Sequence, residues 1–377
     1  MYPISVDHGP NRGILNKMEY QWAAFSELTG NADLMCNSVR GPMLNGELHG
    51  RYRITGRGFD SFNHYAAFFA HVAKQVKLGA YDYLYIRYPL AIPSFLWFLR
   101  AAKAALPKVT TVVEIATFPY RGELRTPKRL VLRSLDDLGR ARLARYVDAI
   151  VTFYGQSEIY GIPCFALCNG VDVSRIPLRR PRTDDGEIAL IAVGNIAERH
   201  GLDRVLRGMA SYAQAPGATS VTLHVVGDGP AIPALRDLSE KLGIAERVRF
   251  HGMKSGAELD ALFDAADLAL DSLAIHRLRL PTSSSLKARE YCARGVPFVL
   301  ASADADFPPE LDFVHRTSSD ESALDVSALV AFYERLRRMH PDVHREMRRH
   351  AEKSLTWKTK LEPLVEYLRE RADRSVA

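Results

Sequence analysis

The sequence predicts an α/β protein built from two doubly wound, Rossmann-like domains that face a central cleft. Short apolar segments rich in branched residues alternate with amphipathic helical segments along the second half of the chain. Such alternation is typical of a parallel sheet with helices on both faces. The first half repeats the pattern less regularly, and a polar, proline-bearing segment separates the two halves. The 377 residues are enough for two domains of ordinary size.

The second half contains the clearer series of elements. Strands are predicted at residues 187–193, 221–226, 248–250, 268–270 and 296–301, and helices at 202–209, 232–242, 259–263 and 286–293. Each predicted strand is short, apolar and rich in branched side chains, as buried strands of parallel sheets are.

The first half contains fewer clear elements. Helices are predicted at residues 16–28 and 93–106, and strands at 81–86, 109–115 and 148–153. Only residues 2–6 are available as an opening strand, which is short for a domain of this kind. We therefore expect either a very short first strand or a start codon that lies a few residues late.

These elements divide the chain into four segments. We expect an N-terminal domain at 1–168, an interdomain linker at 169–186 and a C-terminal domain at 187–345. We predict that the charged segment 346–377 forms a terminal helix, which packs back toward the N-terminal domain. Its apolar stripe consists of Trp357, Leu361, Leu364, Val365 and Leu368.

Composition restricts the class of protein. No run of about 18 apolar residues is present, and the N-terminus lacks the pattern of a secretion signal, so we expect a cytoplasmic protein. Cys164 and Cys168 are spaced C-x3-C, but no second pair completes a metal site. We interpret these cysteines, with Cys36 and Cys292, as buried free thiols.

A basic segment at residues 121–145 holds eight arginines and lysines against three acidic residues. Such a segment attracts phosphates, although a charge run by itself favours a solvated helix face. Its cations do not alternate with aromatic residues, and no zinc-finger or RNA-binding signature occurs. We therefore expect no nucleic-acid partner.

Three strand-to-helix turns are candidate ligand sites, because open α/β sheets bind ligands at the carboxyl ends of their strands. The turn from Gly194 to Gly201 and the turn Gly227-Asp228-Gly229-Pro230 each follow a predicted strand. Glycines allow a ligand to approach the backbone, and a helix start offers N–H donors to an anion. A plain turn with surface charges is an equally acceptable interpretation of the first turn.

The third turn, from Ser283 to Tyr291, carries the sharpest signal. Ser284 and Ser285 precede a helix that begins near Leu286, where they can cap it and present N–H groups to a phosphate. Lys287 lies in the first turn, which suits a cation only when an anion is bound there. Glu290 lies one turn further and can accept hydrogen bonds from a ribose diol. The alternative is an exposed Lys287–Glu290 pair.

These turns carry a resemblance to retaining GT-B glycosyltransferases of family 4, and more closely to polysaccharide-assembly members with an LK-x-REY box. The first half resembles them at residues 9–17, 114–120 and 148–153. The second half resembles them, in family order, at residues 169–172, 194–206, 225–230, 248–252 and 290–297.

The resemblance implies roles for several residues. Glu290 matches the second glutamate of the E-x7-E motif, which holds the donor ribose, and the serines before Leu286 match the helix start near the donor phosphates. Gly194 heads the loop that faces the diphosphate, with Gly227 in the next turn. Gly13 matches a glycine of the N-terminal loop at the cleft.

The sequence departs from the family at three positions. Thr282 stands where the first glutamate of E-x7-E is expected, and Asn195 and His200 stand where the family has its phosphate-binding arginine and lysine. Arg199, Lys287, His276 and Arg277 are candidate replacements for the two lost cations. Arg199 and Lys287 are therefore catalytic candidates.

Glu114 ends a predicted strand facing the cleft. It is a catalytic candidate on the acceptor side, and a buried structural carboxylate is the alternative.

The expected reaction is transfer of a sugar from a nucleoside diphosphate sugar to a hydroxyl, with retention and without a metal or other cofactor. The expected acceptor is a sugar or a lipid-linked saccharide, with peripheral contact to an anionic membrane. A GT-B nucleotide-sugar epimerase and a non-catalytic scaffold are the alternatives. A nicotinamide-dependent oxidoreductase is disfavoured because no G-x-G-x-x-G follows a strand with an acidic residue about twenty positions on.

Overall fold

The computed structural model describes residues 1–5, 12–38, 40–51, 61–120, 127–180, 182, 186–280 and 282–374. Contacts divide the chain into two compact units. The first consists of Met1–Leu167 with Lys360–Ala377, and the second of Cys168–Thr359. Within the described residues, no helix is both long and apolar enough to cross a membrane.

The first unit contains two sheets and the helices that cover them. Its elements are β1 (Tyr2–Ser5), α1 (Arg12–Thr29), β2 (Met35–Asn37), β3 (Pro42–Leu44), β4 (Glu47–Leu48), α2 (Ser61–Leu78), β5 (Tyr83–Arg87), α3 (Pro93–Ala105), β6 (Thr110–Ile115), α4 (Pro127–Gly139), β7 (Ala149–Thr152), β8 (Glu158–Ile159) and β9 (Ile162–Ala166). Strands β1 and β2 are parallel and continue into the antiparallel β3 and β4. The second sheet has the order β5-β6-β7-β9-β8.

The core of the first unit lies against the second of these sheets. All six residues of β6 are buried, as expected for a strand covered on both faces. Phe69 packs against Phe95 and Phe98, with ring centroids 5.4 and 5.5 Å apart, and joins α2 to α3.

The second unit is a six-stranded parallel sheet with helices. Its elements are β10 (Glu187–Val193), α5 (Leu202–Tyr212), β11 (Ser220–Val226), α6 (Ile232–Lys241), β12 (Val248–Gly252), α7 (Ala257–Asp264), β13 (Leu268–Leu270), α8 (Leu286–Arg294), β14 (Phe298–Leu300), β15 (Val314–Arg316), α9 (Val326–Met339), α10 (Val343–Ser354) and the start of α11 (Trp357–Arg374). The strand order is β12-β11-β10-β13-β14-β15. The chain therefore fills one side of β10 first and then crosses to the other, which places the topological switch point between β10 and β13.

Several expected elements are observed with shifted ends or additional neighbours. Residues 169–186, expected as a linker, belong by their contacts to the second unit, where Arg179 donates from Nε to the carbonyl of Gly295 at 2.9 Å. The terminal segment rejoins the first unit from Lys360, and α10 lies in the second. The apolar stripe from Trp357 to Leu368 is buried.

None of the four cysteines, all of which lie in the described residues, forms a disulfide. Cys36 and Cys292 are buried, as expected. Cys164 and Cys168 are only half-buried.

Candidate functional site

The candidate site lies at the switch point of the second unit, at the carboxyl ends of β10 and β13. Two loops leave these strands and are hydrogen bonded to each other. The Leu273 N–H donates to the His200 carbonyl at 3.1 Å, and the Ala274 N–H to the Arg199 carbonyl at 3.0 Å. This is the position where open α/β sheets bind ligands.

The two glycine turns at this edge pack directly on each other. The Gly194 N–H donates to the Val226 carbonyl at 3.0 Å, and the Ile196 N–H to the Asp228 carbonyl at 2.7 Å. A Cβ atom on Gly227 would lie 2.0 Å from the Gly194 carbonyl oxygen. Gly227 also has a φ of +121°, which residues with a side chain rarely adopt. Only glycine therefore allows both this backbone conformation and this close contact.

Gly194 brings two of the predicted site residues together. A Cβ atom at Gly194 would lie 3.8 Å from both His200 Nε2 and Lys287 Cδ. The Lys287 ammonium donates to Ser272 Oγ at 3.1 Å and lies 3.3 Å from Asp271 Oδ1. Its side chain is 19% exposed, so a ligand at the Gly194 turn has access to a partly desolvated cation.

The electrostatics of this site are cationic. Burial lowers the pKa of Lys287, the Asp271 carboxylate opposes that shift, and the nearby charge of Arg199 adds to it. Burial, followed by the charges of Lys287 and Arg199, lowers the pKa of His200 to about 2. Two cations and one carboxylate leave a net positive charge, which favours an anion.

His200 is therefore neutral at pH 7 and does not replace the family's lysine as a charge. Its Nδ1 lies 3.0 Å from the Ala197 nitrogen and 3.1 Å from the Ala197 carbonyl oxygen, so it accepts from the first or donates to the second according to the tautomer. Because Nε2 is the ring atom nearest Gly194, His200 presents a neutral polar group to this turn.

The two serines organise the start of α8. Ser285 is the N-cap: its Oγ accepts from the Lys287 N–H at 3.1 Å and donates to Asp271 Oδ1 at 2.7 Å. Ser284 Oγ accepts from the Asn169 N–H at 2.7 Å. The predicted cap is confirmed, and Leu286 is the first helical residue. Phosphate contact by this helix start stays a prediction.

The rest of the LK-x-REY box has other contacts. Arg289 is fully buried and binds Asp304 and Asp306. Glu290 is half-buried and accepts from Arg294 Nε at 2.9 Å. Lys287 contacts Asp271 instead of Glu290, so the exposed Lys287–Glu290 pair is not the arrangement observed.

His276 and Arg277 are bound to acidic residues. Arg277 donates to Asp203 Oδ1 at 3.0 Å and to Glu321 Oε2 at 2.5 Å, and His276 Nε2 lies 2.7 Å from Glu321 Oε1. These carboxylates neutralise the pair. The geometry therefore argues against the expectation that His276 and Arg277 replace the two phosphate-binding cations of the family that this sequence lacks.

The remaining candidates lie at other positions. Asn195 is exposed in the Gly194 turn, with its Oδ1 beside Gly229. Gly13 lies in the first turn of α1, in the first unit. Residues 8–11 of the motif before it lie outside the described residues, as do residues 121–126 of the basic segment.

Glu114 is a buried hydrogen-bonding centre of the first unit. Its Oε1 accepts from Lys17 at 3.0 Å and Arg87 at 2.6 Å, and its Oε2 from Gln21 at 2.9 Å and Tyr85 at 2.5 Å. Burial alone raises the pKa of Glu114, but Lys17 and Arg87 outweigh it and lower the pKa to about 2. A carboxylate held this tightly is a poor general base, so the geometry corrects the catalytic assignment in favour of the structural alternative.

We expect Glu114→Gln to reduce the free energy of unfolding and to weaken its dependence on pH. A carboxyl group with a lowered folded-state pKa stabilises the fold above its usual pKa near 4.5, and that contribution is lost as the pH falls toward 2. The full shift corresponds to about 3 kcal/mol. Urea unfolding at pH 7 should show a loss of unfolding free energy of this order. Between pH 4.5 and 2, the free energy of unfolding of the variant should change less with pH than that of the wild type. The exposed Glu47→Gln is the matched control, and equal behaviour of the two variants would refute the assignment.

One group in the described part of the chain has the composition of a metal site. Oxygen and sulfur atoms of Cys168, Asp304 and Asp306 lie within 4.8 Å of one another. The Arg289 guanidinium binds both carboxylates, which makes this group a buried ion pair.

Sequence reasoning missed Asp271 and Ser272, which contact Lys287 directly. Their signal is a pair of polar residues immediately after the strand 268–270. That signal becomes informative only when β13 is known to lie beside β10, because an acidic residue after a buried strand is otherwise a common loop residue.

Comparisons with known proteins give a related family and similar folds. Residues 187–320 match the model of the family described as glycosyl transferases group 1. No functionally curated protein shows significant similarity to the chain.

Three solved structures are similar over most of the chain. HepE of Anabaena in complex with UDP has a TM-score of 0.58 and 17% identity, over 82% of this chain and 84% of that one. A glycosyltransferase of Rickettsia africae has a TM-score of 0.62 and 10% identity, over 96% of each chain. The lipopolysaccharide outer core galactosyltransferase WaaB has a TM-score of 0.53 and 14% identity, over 96% and 97%. The chain thus has the GT-B fold with two Rossmann-like domains, and its residues 187–320 are similar to the glycosyl transferases group 1.

Proposed function

We propose that the protein is a glycosyltransferase that moves a sugar from a nucleoside diphosphate sugar to a hydroxyl acceptor. The observation that carries the proposal is the cationic site at the switch point, where Lys287 and Arg199 accompany the Gly194 turn. The family match covers this site. Similar structures of HepE contain UDP and UDP-glucose, which supports a nucleotide-sugar donor.

The proposed chemistry is stabilisation of a leaving diphosphate. Lys287 and Arg199 supply positive charge, the neutral His200 imidazole supplies a hydrogen bond, and the start of α8 adds its helix dipole. Ser285 fixes the start of α8 before the reaction, because its hydroxyl joins Asp271 to the cap. We propose that this set acts without a metal ion, because the developing charge is met by side-chain cations and oriented N–H groups.

Retention and the role of Glu290 are further parts of the proposal. Glu290 is held by Arg294 on α8, one turn beyond Lys287, which suits a carboxylate that binds the donor ribose. The leaving phosphate deprotonates the acceptor hydroxyl, so the anomeric configuration is retained. The reaction belongs to polysaccharide or glycolipid assembly, in line with the outer core galactosyltransferase among the similar structures.

Release of nucleoside diphosphate from nucleotide sugars tests the reaction. The protein is incubated in EDTA with the donor that it binds and a bacterial lipid extract as acceptor source. Acceptor-dependent release with a labelled glycolipid product supports transfer, and NMR of the product reads the anomeric configuration. An epimeric nucleotide sugar formed without acceptor points to the epimerase alternative. Absence of nucleotide binding points to the scaffold alternative.

We also propose that α4 contacts an anionic membrane, where a lipid-linked acceptor is held. Leu130, Val131 and Leu138 are 45%, 56% and 72% exposed, and their helical positions fall within an arc of about 100°. Arg142 and Arg145 follow the helix and are exposed. An apolar face flanked by cations is the usual composition of a helix that lies in a membrane interface.

Vesicle co-sedimentation tests this contact. The protein should bind vesicles containing anionic lipid at low salt, and Leu130→Ser with Leu138→Ser should remove most of the binding by deleting the inserted side chains. Met253→Ser with Met339→Ser, at exposed apolar positions of the second unit, is the control and should bind like the wild type. Absence of wild-type binding at low salt would reject the membrane contact.

A further inference from the structure

Lys287 occupies a position in α8 that is unfavourable for a cation. It is the second residue of the helix, where the N–H groups and the helix dipole already place positive charge. The charge of Arg199, in the loop after β10, adds to this from nearby. Burial of the lysine side chain also removes water that would stabilise the ammonium. A neighbouring anion is therefore required to keep the ammonium charged and in place before a donor binds.

Asp271 places such an anion directly after β13. Its backbone N–H donates to the Val299 carbonyl at 3.2 Å, which extends the pairing of β13 with β14 by one residue. Its side chain is 1% exposed, and its Oδ1 lies 3.3 Å from the Lys287 ammonium. The carboxylate is therefore fixed by the end of a central strand, which is a precise support for a site residue.

The same carboxylate oxygen also binds the N-cap of α8. Ser285 Oγ donates to Asp271 Oδ1 at 2.7 Å and accepts from the Lys287 N–H at 3.1 Å. A negative charge at the start of a helix is stabilised by the helix dipole. Asp271 thus offsets the positive charge of the helix start and contacts the ammonium that this charge disfavours.

Ser272 completes the placement of the ammonium. Lys287 Nζ donates to Ser272 Oγ at 3.1 Å, so two consecutive residues after β13 hold the same atom. An ammonium carries three N–H donors, and these contacts are compatible with a further one to an anion at the Gly194 turn. A Cβ atom at Gly194 would lie 3.8 Å from Lys287 Cδ, which places that turn beside the lysine.

Other titratable groups also interact with this pair. Arg199 and His200 approach Lys287 from the loop after β10, and His200 is neutral at pH 7 because burial and the two cations lower its pKa to about 2. Tyr291 lies one turn further along α8, and burial, with the Asp271 charge, raises the pKa of its phenol. Among the described residues, Asp271 is the carboxylate whose charge and hydrogen bond oppose burial and Arg199 at Lys287.

We propose that Asp271 is a positioning residue of the donor site, whose carboxylate is the resident counter-anion of Lys287 and keeps its ammonium charged beside the Gly194 turn before the donor arrives. Asp271 acts through Lys287 and does not touch the donor. The diphosphate becomes a second anion for the same ammonium. The role of Asp271 in the reaction rests on the proposed sugar transfer, whereas its hold on Lys287 does not.

Competitive labelling with trace acetic anhydride tests the hold on Lys287 without any nucleotide. The reagent acetylates the uncharged amine, so mass spectrometry of the Lys287 peptide from about pH 6 to about pH 11 gives the midpoint at which the ammonium loses its proton. In Asp271→Asn this midpoint should fall by about one pH unit or more, which is the size expected for loss of an opposite charge at this distance. Asparagine keeps an oxygen for Ser285 and removes the charge.

Further variants separate charge from packing. Asp271→Ser is a second neutral variant and should lower the midpoint as well, whereas Asp271→Glu keeps the charge and should return the midpoint toward that of the wild type. Asp148→Asn is the matched control, because Asp148 pairs with Lys103 at 2.7 Å in the first unit. Its Lys287 midpoint should equal that of the wild type. Equal Lys287 midpoints in the wild type and both neutral variants would overturn the proposal.

The pH dependence of nucleoside diphosphate binding tests the role at the donor site. The Kd of Asp271→Asn divided by that of the wild type should rise about 10-fold between about pH 7 and about pH 10, because Lys287 loses its charge at a lower pH in the variant. Titration of the nucleotide itself cancels in this ratio. A ratio that stays constant with pH would show a merely structural effect and would overturn the positioning role. A shifted midpoint in a protein that binds no nucleotide would reject the proposed function and still support the hold of Asp271 on Lys287.

Discussion

Lys287→Met is expected to weaken nucleoside diphosphate binding by about 10- to 100-fold. The methionine keeps the apolar part of the side chain but removes the cation beside Gly194. Hydrogen bonds to charged groups contribute about 1.5–3 kcal/mol, which corresponds to this range. Calorimetric titration of the wild type and the variant measures the difference directly.

Lys254→Met is the matched control for this prediction. Lys254 is a partly exposed lysine of the same unit, and its ammonium lies 2.6 Å from the Glu258 carboxylate. The Lys254→Met variant should bind nucleotide like the wild type. Circular dichroism of Lys287→Met should stay close to wild type, since the cap at Ser285 uses the Lys287 backbone. Its Tm should fall, because the buried Asp271 carboxylate loses the ammonium 3.3 Å away. Unchanged affinity in Lys287→Met would remove this residue from the donor site.

Arg289→Met is expected to destabilise the second unit by about 3–5 kcal/mol. Arg289 has no exposed surface and donates to Asp304 and Asp306 as well as to the Asn169 carbonyl at 3.0 Å. Removing it leaves two buried carboxylates without their counter-charge, which is the costly way to break an ion pair. Thermal and urea unfolding of the full chain should show the loss as an earlier transition.

The pH dependence of this variant identifies the cause. Desolvation already raises the pKa of Asp304, and loss of Arg289 should raise it further. A carboxyl group whose folded-state pKa lies above its unfolded value favours the fold when protonated, so the variant should regain stability as the pH falls. Arg289→Met with Asp304→Asn and Asp306→Asn should be more stable than Arg289→Met alone. If it is not, packing and not charge accounts for the loss.

Much of the second unit could be predicted from the sequence because its strands are buried on both faces. Residues 187–193 and 268–270 were predicted with the ends that the structure has. Such strands are continuous apolar runs between glycine-bearing turns, which is a strong local signal. The strand β15 was missed, since three residues with one histidine carry little pattern.

The first unit was less predictable for a physical reason. The helix α2 was missed, and β2, β3 and β4 are two or three residues long. Their stability comes from pairing with β1 and each other, which local sequence does not reveal.

The site was predictable as a set of turns, but its electrostatics were not. Ser285, Lys287 and Gly194 could be found because each follows a strand or starts a helix. The neutral state of His200 and the contacts of Arg277 with Asp203 and Glu321 depend on burial and on residues more than forty positions away. Spacing in the sequence does not encode those distances.

Nucleotide binding in EDTA tests the central claim most directly. Thermal shift is measured with UDP, GDP, ADP and dTDP, each with and without an attached sugar, for the wild type, Lys287→Met and Glu290→Ala. The account predicts a shift with one base in the wild type, which is lost or strongly reduced in both variants. No shift with any nucleotide in the wild type, or a shift that both variants retain, would contradict it.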